Sequence, residues 1–125
     1  MVLDSSVLHI LFRESGYPEV ALRLNQAKRL LVGAPTLLEA ALVLAHREGE
    51  TQVLLLEELL RRLRVEIVPF DAEHYREALS AFRRYGKGRH PASLNFGDCL
   101  SYAVAKVAGL PLAYVGDDFA QTDLA

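Results

Sequence analysis

Three short apolar runs, Leu30-Leu31-Val32, Val65-Glu66-Ile67-Val68 and Leu112-Ala113-Tyr114-Val115, are separated by stretches of helical periodicity. A shorter one, Val2-Leu3, opens the chain and ends at Asp4. Strands kept apart by helices do not close as hairpins. Each connection crosses over, so the strands pair mostly in parallel and the helices cover both faces of the sheet. The expected fold is therefore α/β, a three-layer α/β/α arrangement with a mostly parallel central sheet. At 125 residues the chain has the length of a single domain, residues 1–125.

The helical stretches follow from apolar spacing and from stop signals. Val7, Leu8, Leu11 and Phe12 mark a helix over residues 5–13, broken at Gly16-Tyr17-Pro18. A second helix covers 19–27. The third starts at Pro35-Thr36 and stops at Gly49, and a Leu-rich fourth covers 51–62. Asp71 is a suitable N-cap for a helix reaching Tyr85. Residues 86–96 form the longest irregular segment, and a last helix over 97–108 leads into the final strand. Gly116-Asp117-Asp118-Phe119 turns the chain away from that strand.

This layout places four acids together. In an open parallel sheet, ligands bind beyond the carboxyl ends of the strands, where the crossing helices also begin. Asp4 ends the first strand, and Asp117 or its neighbour Asp118 follows the last one. Glu39 and Asp98 are expected in the first turns of the helices starting near Thr36 and Gly97. Clustered carboxylates repel one another, and a hard divalent cation relieves the repulsion. An all-oxygen ligand set favours Mg²⁺ or Mn²⁺, an ion able to assist phosphodiester hydrolysis. Each acid also has a local explanation. Asp4 could cap the first helix, Thr36-Leu37-Leu38-Glu39 matches a capping box, and Asn95-Phe96-Gly97-Asp98 is a looser version of one. Asp117 could be a plain turn residue.

The densest basic stretch, residues 83–90, reads either as a solvated helix end or as a glycine-loosened arm offering Lys87 and Arg89 to substrate phosphates. Ser6 is placed to hydrogen-bond an active-site carboxylate, or to serve only as a helix-start serine. His9, His46 and His74 lack paired ligand spacing and read as exposed or core-satisfied. Cys99, the one cysteine, reads as a small buried side chain, and it excludes an intrachain disulfide. A net charge of −2 neither favours nor excludes nucleic acid. Mean hydropathy of +0.14 is high for a small domain and points to apolar surface reserved for a partner or a second copy. With no signal-peptide pattern and no run near the ~20 apolar residues of a membrane span, the chain reads as cytoplasmic, with no membrane partner.

Together, Leu3-Asp4-Ser5-Ser6-Val7-Leu8, Thr36-Leu37-Leu38-Glu39-Ala40, Asn95-Phe96-Gly97-Asp98-Cys99-Leu100 and Gly116-Asp117-Asp118-Phe119 resemble the PIN-domain ribonucleases. The likeness is nearest to their VapC-type toxins and covers essentially the whole chain. It implies a PIN-like fold and an acidic quartet of Asp4, Glu39, Asp98 and Asp117, with Asp118 the competitor for the fourth place. It also implies Mg²⁺ or Mn²⁺, held chiefly by Asp4 and Asp98, and RNA as the substrate, cut endonucleolytically so that translation stops. Ser6 matches the family's hydroxyl position, and Lys87, Arg89 and Asn95 are the expected substrate contacts. The implied protein partners are a VapB-type antitoxin and a second copy in a homodimer.

Two other chemistries share parts of the pattern. A haloacid-dehalogenase-type phosphohydrolase wants a second acid two residues after Asp4, where this chain has Ser6. A receiver-like domain wants an acidic pair near Asp4 and a lysine ending the last strand, where it has Tyr114-Val115-Gly116. Neither explains Glu39.

Overall fold

The computed structural model describes residues 1–12 and 17–125. Among the described residues, four strands are separated by pairs of helices: β1 (Val2–Leu3), α1 (Ser5–Phe12), α2 (Tyr17–Gln26), β2 (Leu31–Gly33), α3 (Ala34–Glu48), α4 (Glu50–Arg62), β3 (Glu66–Val68), α5 (Ala72–Tyr85), α6 (Phe96–Ala108) and β4 (Leu112–Ala113). Of the break expected at Gly16-Tyr17-Pro18, Gly16 lies outside the described residues, while Tyr17 and Pro18 form the first positions of α2, where proline is tolerated.

All three strand pairings are parallel, in the order β3-β2-β1-β4. The chain builds outward from β1 through β2 to β3, then returns to lay β4 against the other side of β1. The winding direction reverses between β1 and β4, and a crevice at the carboxyl edge is expected at such a reversal.

Alternation along the strands divides the interior in two. Val2, Leu31 and Leu112 share one core with Ala81 of α5 and Tyr102 and Val104 of α6. Leu3, Val32 and Ala113 point the other way, into a second core with Val7, Leu8, Leu24, Ala40, Leu56 and Leu60 from α1 to α4. Each fully buried Leu or Val contributes about 1.5–3 kcal/mol. A one-residue slip of β1 would exchange Val2 and Leu3 between these cores, so packing on both faces holds the register.

Several boundaries differ from the sequence expectation. β4 is two residues long because Tyr114 and Val115 leave the ladder, and the Val115 N–H donates instead to Ser6 Oγ at 3.0 Å. α3 starts at Ala34 directly after β2, with Gly33 as N-cap and Pro35 in its first positions. Proline fits there because its φ is already helical and its missing N–H has no partner to lose. α6 starts at Phe96 with Asn95 as cap. Residues 86–94 are tied down by backbone bonds from Lys87 N–H to the Leu94 carbonyl and from Leu94 N–H to the Tyr85 carbonyl. They form a closed loop, not the loosened arm that Gly86 and Gly88 suggested.

Candidate active site

A cleft of about 580 Å³ opens at the carboxyl edge of the sheet, where the winding reverses. Asp4, Glu39, Asp98 and Asp118 all line it. Asp117 is not among its lining residues, so the fourth acidic position passes from Asp117 to its neighbour. Gly116 takes a φ of +103°, and the turn that follows presents Asp118 to the cleft.

Asp4 is the most firmly held of the four. It is 4% exposed, and its Oδ1 accepts a 2.6 Å hydrogen bond from the buried Ser101 hydroxyl. Its Oδ2 accepts from Ser6 Oγ at 2.6 Å and from the Ser6 backbone N–H at 3.2 Å. Because Ser6 Oγ also accepts from Val115, one hydroxyl ties the end of β1 to the end of β4. Asp4 therefore does help start α1, as the local explanation required, while still facing the cleft.

The same holds for Asp98. Its Oδ2 accepts the Asn95 backbone N–H at 3.0 Å, while Asn95 Oδ1 accepts the Asp98 N–H at 2.9 Å, a complete capping box. Burial pushes the Asp98 carboxyl up to about 7, against the opposing Asn95 hydrogen bond. The charges of Asp118 and Asp4 and a side-chain hydrogen bond with Asp118 supply the smaller part of that rise.

Glu39 has lost its local explanation. Thr36 lies inside α3, buried and 3.5 Å from Ser101 Oγ, and makes no cap. Glu39 thus sits in the second turn, not the first. Its carboxylate reaches across to α6, where a Cβ built on Gly97 would stand 2.7 Å from Oε2 and 2.9 Å from Oε1. Glycine at 97 is what allows the carboxylate so near the start of α6, where the N-terminal end of the helix favours negative charge.

Of the other expected residues, Ser6 and Asn95 line the cleft, and Lys87 and Arg89 do not. The Arg89 guanidinium instead lies over the Phe82 ring, 5.3 Å from its centroid. Arg84 bonds the Tyr85 and Tyr102 hydroxyls, so the basic stretch serves structure there. Cys99 is buried, and burial pushes its thiol up to about 11, far from a reactive thiolate. His74 is buried and completes the Asp71 capping box of α5.

Sequence reasoning missed Ser101 and Arg47, and it set His9 aside as exposed or core-satisfied. Ser101 lies three residues after Asp98, and Arg47 eight after Glu39, both on the helix faces those acids occupy. That spacing was visible in the sequence. His9 and Arg47 line the cleft from α1 and α3.

As the side chains stand, no three acid, His or Cys side chains among the described residues close around a common point. The donor set nevertheless suits a hard cation. The four acids offer only oxygen, they are gathered in one cleft, and the charges of Asp118 and Asp4, which add to burial in raising Asp98, are what a divalent ion offsets.

A PIN domain family model matches residues 1–124. Ribonuclease VapC30 of Mycobacterium tuberculosis is 40% identical over 126 residues, covering 100% of this chain and 96% of that protein. Ribonuclease VapC36 of the same organism is 45% identical over 105 residues, 84% of this chain and 76% of that protein. Among solved structures, the sarcin-ricin loop cleaving toxin VapC20 of M. tuberculosis superposes with a TM-score of 0.77 at 17% identity, covering 99% of this chain and 97% of that one. A toxin–antitoxin complex from Klebsiella pneumoniae gives a TM-score of 0.71 at 18% identity, covering 98% and 92%. These two superpositions show the shared fold.

Proposed function

The chain belongs to the PIN domain family, in its VapC ribonuclease group, and from that premise we propose that the acidic cleft is a metal-dependent endoribonuclease site. The observation that carries this reading is the meeting of Asp4, Glu39, Asp98 and Asp118 in one cleft, from four separate places in the chain. Neither a phosphohydrolase nor a receiver-like domain is needed to explain them.

Asp4 and Asp98 are the principal holders of Mg²⁺ or Mn²⁺, with Asp118 beside them. Such an ion, when bound, supplies positive charge that polarises the phosphodiester and offsets the charge building on its oxygens. Ser101 and Ser6 hold the two oxygens of Asp4 in place, so its carboxylate needs no reordering when substrate arrives. Glu39, across the cleft and half-buried, is placed to orient an attacking water and accept its proton. Asn95 offers a polar side chain at the cleft wall.

The chain is also proposed to act as the toxin of a toxin–antitoxin pair, as the VapC relatives and the Klebsiella complex suggest. Cutting RNA would then stop translation until a VapB-type antitoxin covers the cleft. Exposed Leu38 and Leu42 on α3 and Leu54 and Leu55 on α4 offer apolar surface for an antitoxin or a second copy in a homodimer. Among the described residues, no helix is long and apolar enough to cross a membrane.

Brief expression without an antitoxin, followed by sequencing of cellular RNA ends, tests the proposal. New internal 5′ ends recurring at a few sites are expected, and an end pattern identical to that of uninduced cells would sink it.

A further inference from the structure

We propose that Arg47 is a substrate-binding residue that holds an RNA phosphate beside the one being cut. The proposal rests on the ribonuclease reading of the cleft. Glu39, Val43 and Arg47 recur every four residues along α3, share one helix face, and all line the cleft. Eight residues of helix place Arg47 about 12 Å along the axis from Glu39. Glu39 thus stands at one end of this wall and the guanidinium at the other, with Val43 between them.

Among the described lining residues Arg47 is the one Arg or Lys, although four carboxylates line the same cleft. It is exposed, and no ion pair, hydrogen bond or ring contact engages it among the described residues. Of the other arginines near helix ends, Arg61 and Arg62 pair with Glu58 and Arg84 binds two tyrosine hydroxyls, while Arg23 and Arg83 are unengaged among the described residues like Arg47 but do not line the cleft. A polyanion entering a cleft with this many carboxylates, on a chain of net charge −2, needs local positive charge along its path. A cation among the acids serves the scissile phosphate, and a neighbouring phosphate requires its own partner. The planar guanidinium supplies two parallel N–H donors matched to phosphate oxygens, which a solvated lysine would not. A cation at a helix C-terminus also complements the dipole, but that role calls for no place in the cleft.

The test measures binding of a labelled RNA hairpin with a single-stranded loop to the Asp98→Asn protein, alone and with Arg47→Gln or Arg47→Lys added. Arg47→Gln is expected to weaken binding about tenfold and to make the slope of log affinity against log salt shallower by about 0.7, one phosphate contact fewer. Arg47→Lys should keep the slope and lose part of the affinity. In the otherwise unchanged enzyme, Arg47→Gln should raise KM and leave kcat nearly as it was. Equal affinity and equal slope in the Asp98→Asn parent and its Arg47→Gln derivative overturn the inference while leaving the ribonuclease reading intact. The same holds if Arg47→Gln weakens only antitoxin binding. Failure of the Asp98→Asn parent to bind RNA at all counts against both.

Discussion

Asp98→Asn is expected to lose RNA cleavage by more than about a hundredfold while its fold stays intact. Changes in groups that merely support metal ligands already cost about 10- to 100-fold, and Asp98 is proposed as a ligand itself. The substitution spares the local structure, because asparagine keeps an oxygen to accept the Asn95 N–H that completes the capping box. Stability should respond in the opposite direction. The folded-state pKa of Asp98 lies above its ordinary value, at about 7. Its contribution therefore favours folding at low pH and is lost as pH rises through that value. A neutral side chain escapes the loss, so above neutral pH and without divalent ions the variant should melt no lower than the parent. Cleavage equal to the parent's would remove Asp98 from the chemistry. A collapsed melting temperature would show that the capping role outweighs the electrostatic one.

The second large effect is on stability. Phe119 is 1% exposed, packs in the core beside Tyr114 at a centroid distance of 5.2 Å, and directly follows Asp118. Its carbonyl also accepts the Thr122 hydroxyl at 2.8 Å, closing the turn. Phe119→Ala should cost about 3–5 kcal/mol, from lost burial and the cavity left behind. It should also reduce cleavage, because the ring anchors the turn that presents Asp118. Urea denaturation reads the first effect and the RNA assay the second. Phe119→Leu, which refills most of the space, should recover much of both. A loss below about 1 kcal/mol would mean that the turn is held by something other than this ring.

The parallel sheet was legible because apolar runs of strand length recur between amphipathic stretches, and the topology of such a sheet sends Asp4 and Asp98 to one edge. The order β3-β2-β1-β4 was not legible, since parallel neighbours are chosen by packing on both faces, which leaves no local trace. The choice between Asp117 and Asp118 depended on a backbone angle, the positive φ of Gly116. Glu39 was placed in the right cleft with the wrong local geometry. Thr36-Leu37-Leu38-Glu39 has the letters of a capping box, but Pro35 suits an earlier start and draws Thr36 into the core.

The basic segment shows the opposite failure. Lys87 and Arg89 drew attention by charge density, a property of composition, whereas contact with the cleft depends on where the loop is tied. Backbone bonds to Leu94 and the Phe82 ring hold it elsewhere. Arg47 attracted none because it is a single arginine in the last turn of a helix, next to Glu48 and outside any basic run. Only its helical spacing from Glu39 linked it to the site.

Calorimetric titration of Mn²⁺ into the purified chain tests the metal site most directly, done one pH unit below and one above the Asp98 value of about 7. Expected is saturable binding that tightens at the higher pH, because at the lower one the ion must displace a proton from Asp98. Asp98→Asn should remove most of that binding and its pH dependence. No saturable binding at either pH, or binding unchanged in the variant, would contradict a divalent-cation site in this cleft.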